Sequence, residues 1–298
     1  MKISGFTYIR NGFTYGYPFL SSIASFLPLV DELVIIAGDS IDGTTEALLD
    51  LKDPKIKIFH SRWDDDKRIG GSIFAQQTNL GLQHVTGDWA IHLQADEVIH
   101  ENDIKKLKQE IIQASNNPKI EGLLFPYYHF WGDFYHIRNT RRTHRYEIRA
   151  FRNSGDIQSY KDSQGFRKFA LNENTNNLKG EKLRVVKVNV PIYHYSYTRH
   201  PDLMVVKSNY FDRFWHNDSW LKENKREKKF DYNDVDLLSP FQGTHPKYMH
   251  EVIAKQNWDF KYDPSKSNMS AKDKILSIFE KLFKKRFFEY KNYKIIKP

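Results

Sequence analysis

An α/β protein built on a doubly wound, mainly parallel sheet with helices on both faces is what this sequence of 298 residues predicts. Three observations carry that expectation. Short apolar runs alternate with helix-length amphipathic stretches through the first half. The run "ELVIIAG" is continuously apolar, as a strand covered on both faces must be. The stretches between runs are long enough for the right-handed crossovers that join parallel strands.

The elements follow in order. "KISGFTYI" reads as a strand, Tyr17 to Phe26 as a helix, "ELVIIAG" as a buried strand, and "DGTTEALLDL" as a helix with Asp42 near its start. "KIKIFH" is a third strand, Gly71 to Val85 a helix, "DWAIHL" a strand, Asp103 to Ala114 a helix, and "EGLLFPYYHF" a strand. Trp131 to Arg152 is dense in arginine and aromatics. The turn-rich stretch "NENTNNLKGEK" precedes one long strand, "LRVVKVNVPIYHYSY", and a helix from Pro201 to Trp215. This divides the chain into a catalytic unit over 1–215, an irregular extension over 216–270 punctuated by Pro240, Pro246 and Pro264, and a basic amphipathic C-terminal helix over 271–298.

Composition narrows the chemistry. With 40% hydrophobic and 28% charged residues, the chain reads as a soluble globular protein. No window approaches an uncharged membrane span, and "MKISGFTYIRNGF" lacks the basic and apolar regions of a secretory signal, so the cytoplasm is the expected compartment. Zero cysteines exclude disulfides, thiolate metal sites and thiol nucleophiles, leaving any metal to Asp, Glu, His or Asn. The net charge of +9 suggests nucleic acid until it is located: the last 28 residues hold nine basic and three acidic side chains, so most of the surplus lies there.

The stretch "HLQADEVIHEND" ends an apolar strand on the adjacent carboxylates Asp96 and Glu97. Two such groups beside a core call for a cation or a strong donor. Alternatively, the acids merely open the next helix, where negative charge is favourable. In an open parallel sheet the loops after "ELVIIAG" and "DWAIHL" share one rim, which gathers Asp39, Asp42, Asp96 and Glu97.

"LVDELVIIAGDSIDGT" followed by "QTNLGLQHVTGDWAIHLQADE" resembles the nucleotide-sugar-binding half of family 2 glycosyltransferases, which have the GT-A fold. The resemblance covers roughly residues 1–215 and implies transfer of a sugar, with inversion, from a nucleotide-sugar donor to a glycan or lipid-linked acceptor in surface-polysaccharide assembly. It also implies a divalent cation, Mn²⁺ or Mg²⁺, bridging the donor diphosphate. Asp96 matches the last Asp of the family's Asp-x-Asp motif and Gln94 replaces the first, which leaves one carboxylate for the metal and an amide for a ribose hydroxyl. Ala37 stands where the family carries a base-contacting Asp, and Asp39 is the nearest substitute. Arg10, Arg68 and Asn79 are candidate donor contacts: Arg68 as a diphosphate clamp, with a solvated arginine beside "WDDDK" as its alternative, Arg10 at the end of the first strand, where the similar family position lies beside the nucleotide, and Asn79 on the polar face of the following helix. Asp42 suits a helix cap as well as a ligand site. His194 in "IYHYSYTRHP" is the candidate second metal ligand, with a hydrogen-bonded structural role as its alternative. Asp162 in "SYKDSQGFRKF" is the candidate general base, and Glu147 in "HRYEIRAFR" competes with it.

Two further stretches invite partners. The arginines from Arg138 to Arg152, with Tyr127, Tyr128 and Trp131, suit either nucleic acid or an acidic acceptor. Because the charge outside the tail is small, the second is expected and nucleic acid is not. In the tail, Ile275, Ile278, Phe279, Leu282 and Phe283 fall at helical spacing among lysines, a pattern suited to an anionic membrane surface, to the chain's own domain, or to a second subunit in a homo-oligomer. Ala37 and Gln94 leave room for a non-catalytic nucleotide- or sugar-binding module.

Overall fold

The structure is a computed structural model and describes residues 1–65, 70–163, 165–170, 180–283 and 285–297. The first half holds β1 (Ile3–Ile9), α1 (Phe19–Phe26), β2 (Glu32–Ala37), α2 (Thr44–Leu49), β3 (Ile56–His60), α3 (Ser72–Gln83), β4 (Trp89–His92), β5 (Glu97–Ile99) and α4 (Ile104–Ser115). Strands then dominate: β6 (Gly122–Trp131), β7 (His136–Ile137), β8 (Tyr146–Arg152), β9 (Ile157–Ser159), β10 (Phe166–Lys168), β11 (Glu181–Lys182), β12 (Arg184–Lys187) and β13 (Ile192–Tyr197). The last part comprises α5 (Pro201–Asp212), α6 (Asp218–Glu223), β14 (Ser239–Pro240), α7 (His250–Ala254), α8 (Ala271–Phe283) and β15 (Lys294–Ile295).

The main path of the central sheet runs β14-β7-β6-β8-β4-β1-β2-β3. Strands β4, β1, β2 and β3 are parallel to one another, as the crossover pattern requires, and β8 enters antiparallel between β4 and β6. The side-chain alternation of the strands divides two cores. On one face Ile3, Ile9, Leu33 and Ile35 pack with Phe19, Phe26, Leu107 and Ile111 from α1 and α4; on the other, Phe6, Val34 and Ile36 pack beneath α3. Strand β2, the "ELVIIA" run, is buried at every position. Each fully buried aliphatic or aromatic side chain contributes roughly 1.5–3 kcal/mol, so this double cover is what holds the parallel strands together.

Three local features differ from the sequence reading. The long strand expected over Leu183 to Tyr197 is two strands, β12 and β13, broken at Pro191, a residue without the amide hydrogen that a ladder needs. Both pair in parallel with β6, at successive heights. Glu97 opens a short strand, β5, rather than a helix; β5 pairs antiparallel with β13 and sets His194 opposite Glu97. The amphipathic helix of the tail ends at Phe283, and the chain then returns to the body, where β15 extends the sheet beside β12.

Candidate active site

A cavity of about 240 Å³ opens at the carboxyl ends of β1 and β4, where ligands bind in open α/β sheets. Its wall is assembled from distant parts of the chain. The end of β1 and the loop beyond supply Tyr8, Arg10, Tyr15 and Tyr17; the segment after β4 supplies Gln94, Ala95 and Asp96; β13 supplies His194 and Ser196. Helix α5 crosses the opening with Lys207, Tyr210 and Phe211, and Asp162 enters from the loop after β9.

Asp96 is buried among nitrogen-bearing side chains. Its Oδ1 lies 3.6 Å from His194 Nε2, and its Oδ2 lies 3.8 Å from an Arg199 guanidinium nitrogen and 3.7 Å from Lys207 Nζ. Burial alone would raise its pKa, but the attraction of His194, Lys207 and Arg199 outweighs this and holds the carboxyl well below the usual range. Lys207 shows the reverse balance. Burial and the nearby Arg199 charge draw its ammonium down to about 7 against the pull of Asp96. The Lys207 ammonium donates to Ser196 at the backbone oxygen (3.2 Å) and Oγ (3.0 Å), and both Lys207 and Arg199 lie over the Tyr17 ring. The neighbouring carboxylate turns the other way: Glu97 accepts two bonds from Arg149, at 2.8 and 2.6 Å, and one from the Tyr127 hydroxyl at 2.8 Å, all buried. Adjacent acids thus point to separate partners, one in the cavity and one in the core.

The loop carrying Asp162 is held on both sides. Lys161 and Ser163 adopt left-handed backbone (φ +55° and +66°), a conformation that costs a non-glycine residue on the order of 1 kcal/mol or more. Asn79 of α3 bonds the Ser159 carbonyl and amide at 2.9 and 2.7 Å, mimicking a strand partner, and Ser163 Oγ lies 3.2 Å from Thr78 Oγ1. Gly71, at φ +69°, permits the approach: a Cβ there would stand 2.8 Å from Asp162 Cβ.

Of the residues singled out in the sequence, Arg10, Gln94, Asp96, Asp162 and His194 line the one cavity. Arg10 is drawn to its wall by Asp39 (2.9 Å) and Asp65 (2.6 Å) and lies over Trp63. Asp39 therefore stands behind Arg10 and is not part of the cavity lining, and Asn79 serves the Asp162 loop rather than the cavity. Asp42 accepts from Thr44 and Thr14 and ties the β1 and β2 loops. Arg68 lies outside the described residues. Glu147 is half-buried against Gly165, its pKa raised by desolvation. Sequence reasoning missed Lys207 and Arg199; the signal was a lone lysine inside the apolar helix "LMVVKSNYF", where helical spacing forces burial.

The arginine-rich stretch is largely spent on the fold. Arg149 is bound to Glu97, Arg138 to Asp236 (2.7 Å), Arg141 to Glu280 (3.5 Å), and Arg152 to carbonyls at the end of α4.

A divalent cation fits this donor set. Asp96 Oδ1 and His194 Nε2 face each other across the cavity wall with Gln94 alongside, an oxygen and imidazole combination suited to Mg²⁺ or Mn²⁺. Among the described residues no three acids or histidines converge to hold a metal by themselves.

The sequence model described as glycosyl transferase family 2 matches residues 11–173, more than half the chain, including Gln94, Asp96 and Asp162 of the cavity. The chain belongs to this family. No curated protein matches it in sequence. Among solved structures, this family 2 chain is similar to TarS from S. aureus (TM-score 0.41, 13% identity, 70% of this chain and 38% of that one). It is also similar to TarS 1–349 in complex with UDP-GlcNAc (TM-score 0.41, 10% identity, 75% and 70%). A third similar structure is the mannosyltransferase PcManGT from Pyrobaculum calidifontis in complex with GDP-Man and Mn²⁺ (TM-score 0.42, 13% identity, 76% and 65%). The chain thus spans well under two thirds of the full TarS chain.

Proposed function

We propose that the chain is a glycosyltransferase of the hexosyl-transferring kind, moving a sugar from a nucleotide-sugar donor to a hydroxyl of a glycan or lipid-linked acceptor, with inversion, in surface-polysaccharide assembly. The observation that carries the reading is Asp96: in a family 2 chain, a buried carboxylate held ionised by His194, Lys207 and Arg199 faces the cavity at the carboxyl ends of the sheet. Asp96 and His194 would hold a divalent cation, which when bound neutralises the charge developing on the diphosphate leaving group. Lys207, whose ammonium titrates near neutrality, and Arg10 place donor groups for phosphate oxygens on the same wall. Tyr8, Trp63 and Phe74 supply flat apolar surface against which a base or sugar ring can pack. Asp162 accepts the proton of the acceptor hydroxyl as that oxygen bonds to the anomeric carbon and the bond to the diphosphate breaks.

A thermal-shift panel of UDP, GDP, CDP and dTDP, each with and without Mn²⁺, tests the reading on the wild type and Asp96→Asn. A ligand that binds only the folded state raises the melting temperature. One nucleotide should stabilise the wild type in a metal-dependent manner and leave Asp96→Asn unmoved. Failure of all four to shift the wild type would overturn the donor site. Nucleotide binding without turnover by the wild type would instead favour the non-catalytic module.

A further inference from the structure

Helix α8 sits on the protein the wrong way round for a soluble helix. Asp273, Ser277 and Glu280 fall on one stripe, and that polar stripe faces the body. Asp273 meets Arg142 at 3.5 Å, and Glu280 meets Arg141 (3.5 Å), Arg145 (3.9 Å) and Arg286 (3.0 Å). The opposite stripe, Ile275, Ile278, Phe279, Leu282 and Phe283, is exposed to solvent, Leu282 to 70%. Beyond the helix, Phe288 is 93% exposed on a left-handed backbone (φ +58°), a conformation disfavoured for an aromatic residue. A contiguous apolar surface of this kind marks an interaction site.

The charges around it select the occupant. All three acids of the segment, Asp273, Glu280 and Glu289, are engaged by arginines of the body or of the segment itself. The exposed charged side chains among the described residues from 271 to 297 are therefore lysines only, including Lys272, Lys274, Lys285 and Lys291. We propose that this face docks on an anionic lipid bilayer, the apolar stripe entering the interface and the lysines meeting lipid phosphates and headgroup charge. A second copy of the chain is the poorer match, because it would bring two lysine-rimmed faces together without any acid to offset them. The proposal does not depend on the donor-site reading, since no residue of the stripe lines that cavity.

The test is co-sedimentation of the full chain with vesicles of phosphatidylcholine alone, and with a third of the lipid replaced by phosphatidylglycerol. Wild type should pellet with the anionic vesicles at least ~10-fold more strongly than with neutral ones, and added salt should weaken the binding. Leu282→Glu with Phe283→Glu should lose that binding, and Lys272→Gln with Lys274→Gln should reduce it several-fold, while both pairs keep the wild-type melting temperature and its response to nucleotide. Wild type left in the supernatant, or the glutamate pair pelleting like wild type, would overturn the proposal. So would light scattering that finds a wild-type dimer converted to monomer by the glutamate pair with vesicle binding unchanged.

Discussion

Lys207 Nζ lies 3.7 Å from Asp96 Oδ2, a buried amine and a buried carboxylate on the wall of one cavity. The ammonium hydrogen-bonds to Ser196, so its position is fixed before any ligand arrives. Replacing it with an apolar residue of similar length should leave the cavity shaped but less positive. Lys207→Met is expected to weaken nucleoside diphosphate binding about 10- to 100-fold, in line with ~1.5–3 kcal/mol for a hydrogen bond to a charged group. Isothermal titration checks this, and an unchanged dissociation constant would remove Lys207 from the donor site.

Asp162 should separate binding from chemistry. Asp162→Asn keeps shape and hydrogen bonding but cannot accept a proton at neutral pH, so turnover should fall about 10²- to 10⁴-fold with the nucleotide thermal shift retained. Gly71→Ala should act on the same residue indirectly. Its Cβ would meet both Asp162 and Trp215 at 2.8 Å, and its backbone is left-handed, so a loss of about 1–3 kcal/mol in stability should accompany the loss of turnover. Full activity in Gly71→Ala would show that the loop tolerates displacement.

The Glu97–Arg149 pair is a stability element. Both side chains are almost fully buried, and removing one leaves the other charge without compensation. Arg149→Met should cost about 3–5 kcal/mol in urea unfolding, and adding Glu97→Gln should recover part of that loss. Strict additivity of the two substitutions would contradict the pairing.

Acid should destabilise the fold in two windows. His92 is buried between Phe6 and Tyr8, and burial draws its pKa down to about 3. Between that value and the ordinary value near 6.5, the unfolded chain binds a proton that the folded chain refuses. Stability therefore falls with falling pH by about 1.4 kcal/mol per pH unit for this group. Below about 4.5 a second loss begins, because Glu121 is held down to about 2: burial would raise its pKa, but the bonds from Arg184 and Lys168 prevail. Its contribution is present above the ordinary carboxylate value and fades as pH drops toward about 2. Urea titrations of His92→Leu should show a pH slope shallower by about one proton above pH 4.5; a slope equal to the wild type would place the acid response elsewhere.

Much of the framework was legible because it is local. Apolar runs and their spacing marked β1 to β4 and the helices between them, and the rule that parallel strands share a ligand-binding rim gathered Asp39, Asp42, Asp96 and Glu97, of which Asp96 alone lines the cavity. What escaped depends on contacts that periodicity does not encode. The three residues Glu97 to Ile99 are too few to announce a strand; β5 exists because β13 returns beside it. Asn79 carries a residue type suited to a ligand, yet its partners are the backbone atoms of Ser159, eighty positions away. Lys207 and Arg199 acquire meaning only when α5 folds back over Asp96.

Helix α5 and Trp215 also lie beyond residue 173, where the family match ends. Of the cavity's side chains, Asp96 and Asp162 lie within the matched stretch, whereas Lys207, Tyr210, Phe211 and Trp215 lie beyond it. Because α5 brings Lys207, Tyr210 and Phe211 to the cavity wall on one short segment, a change confined to this helix can reshape the cavity while Asp96 and Asp162 stay in place.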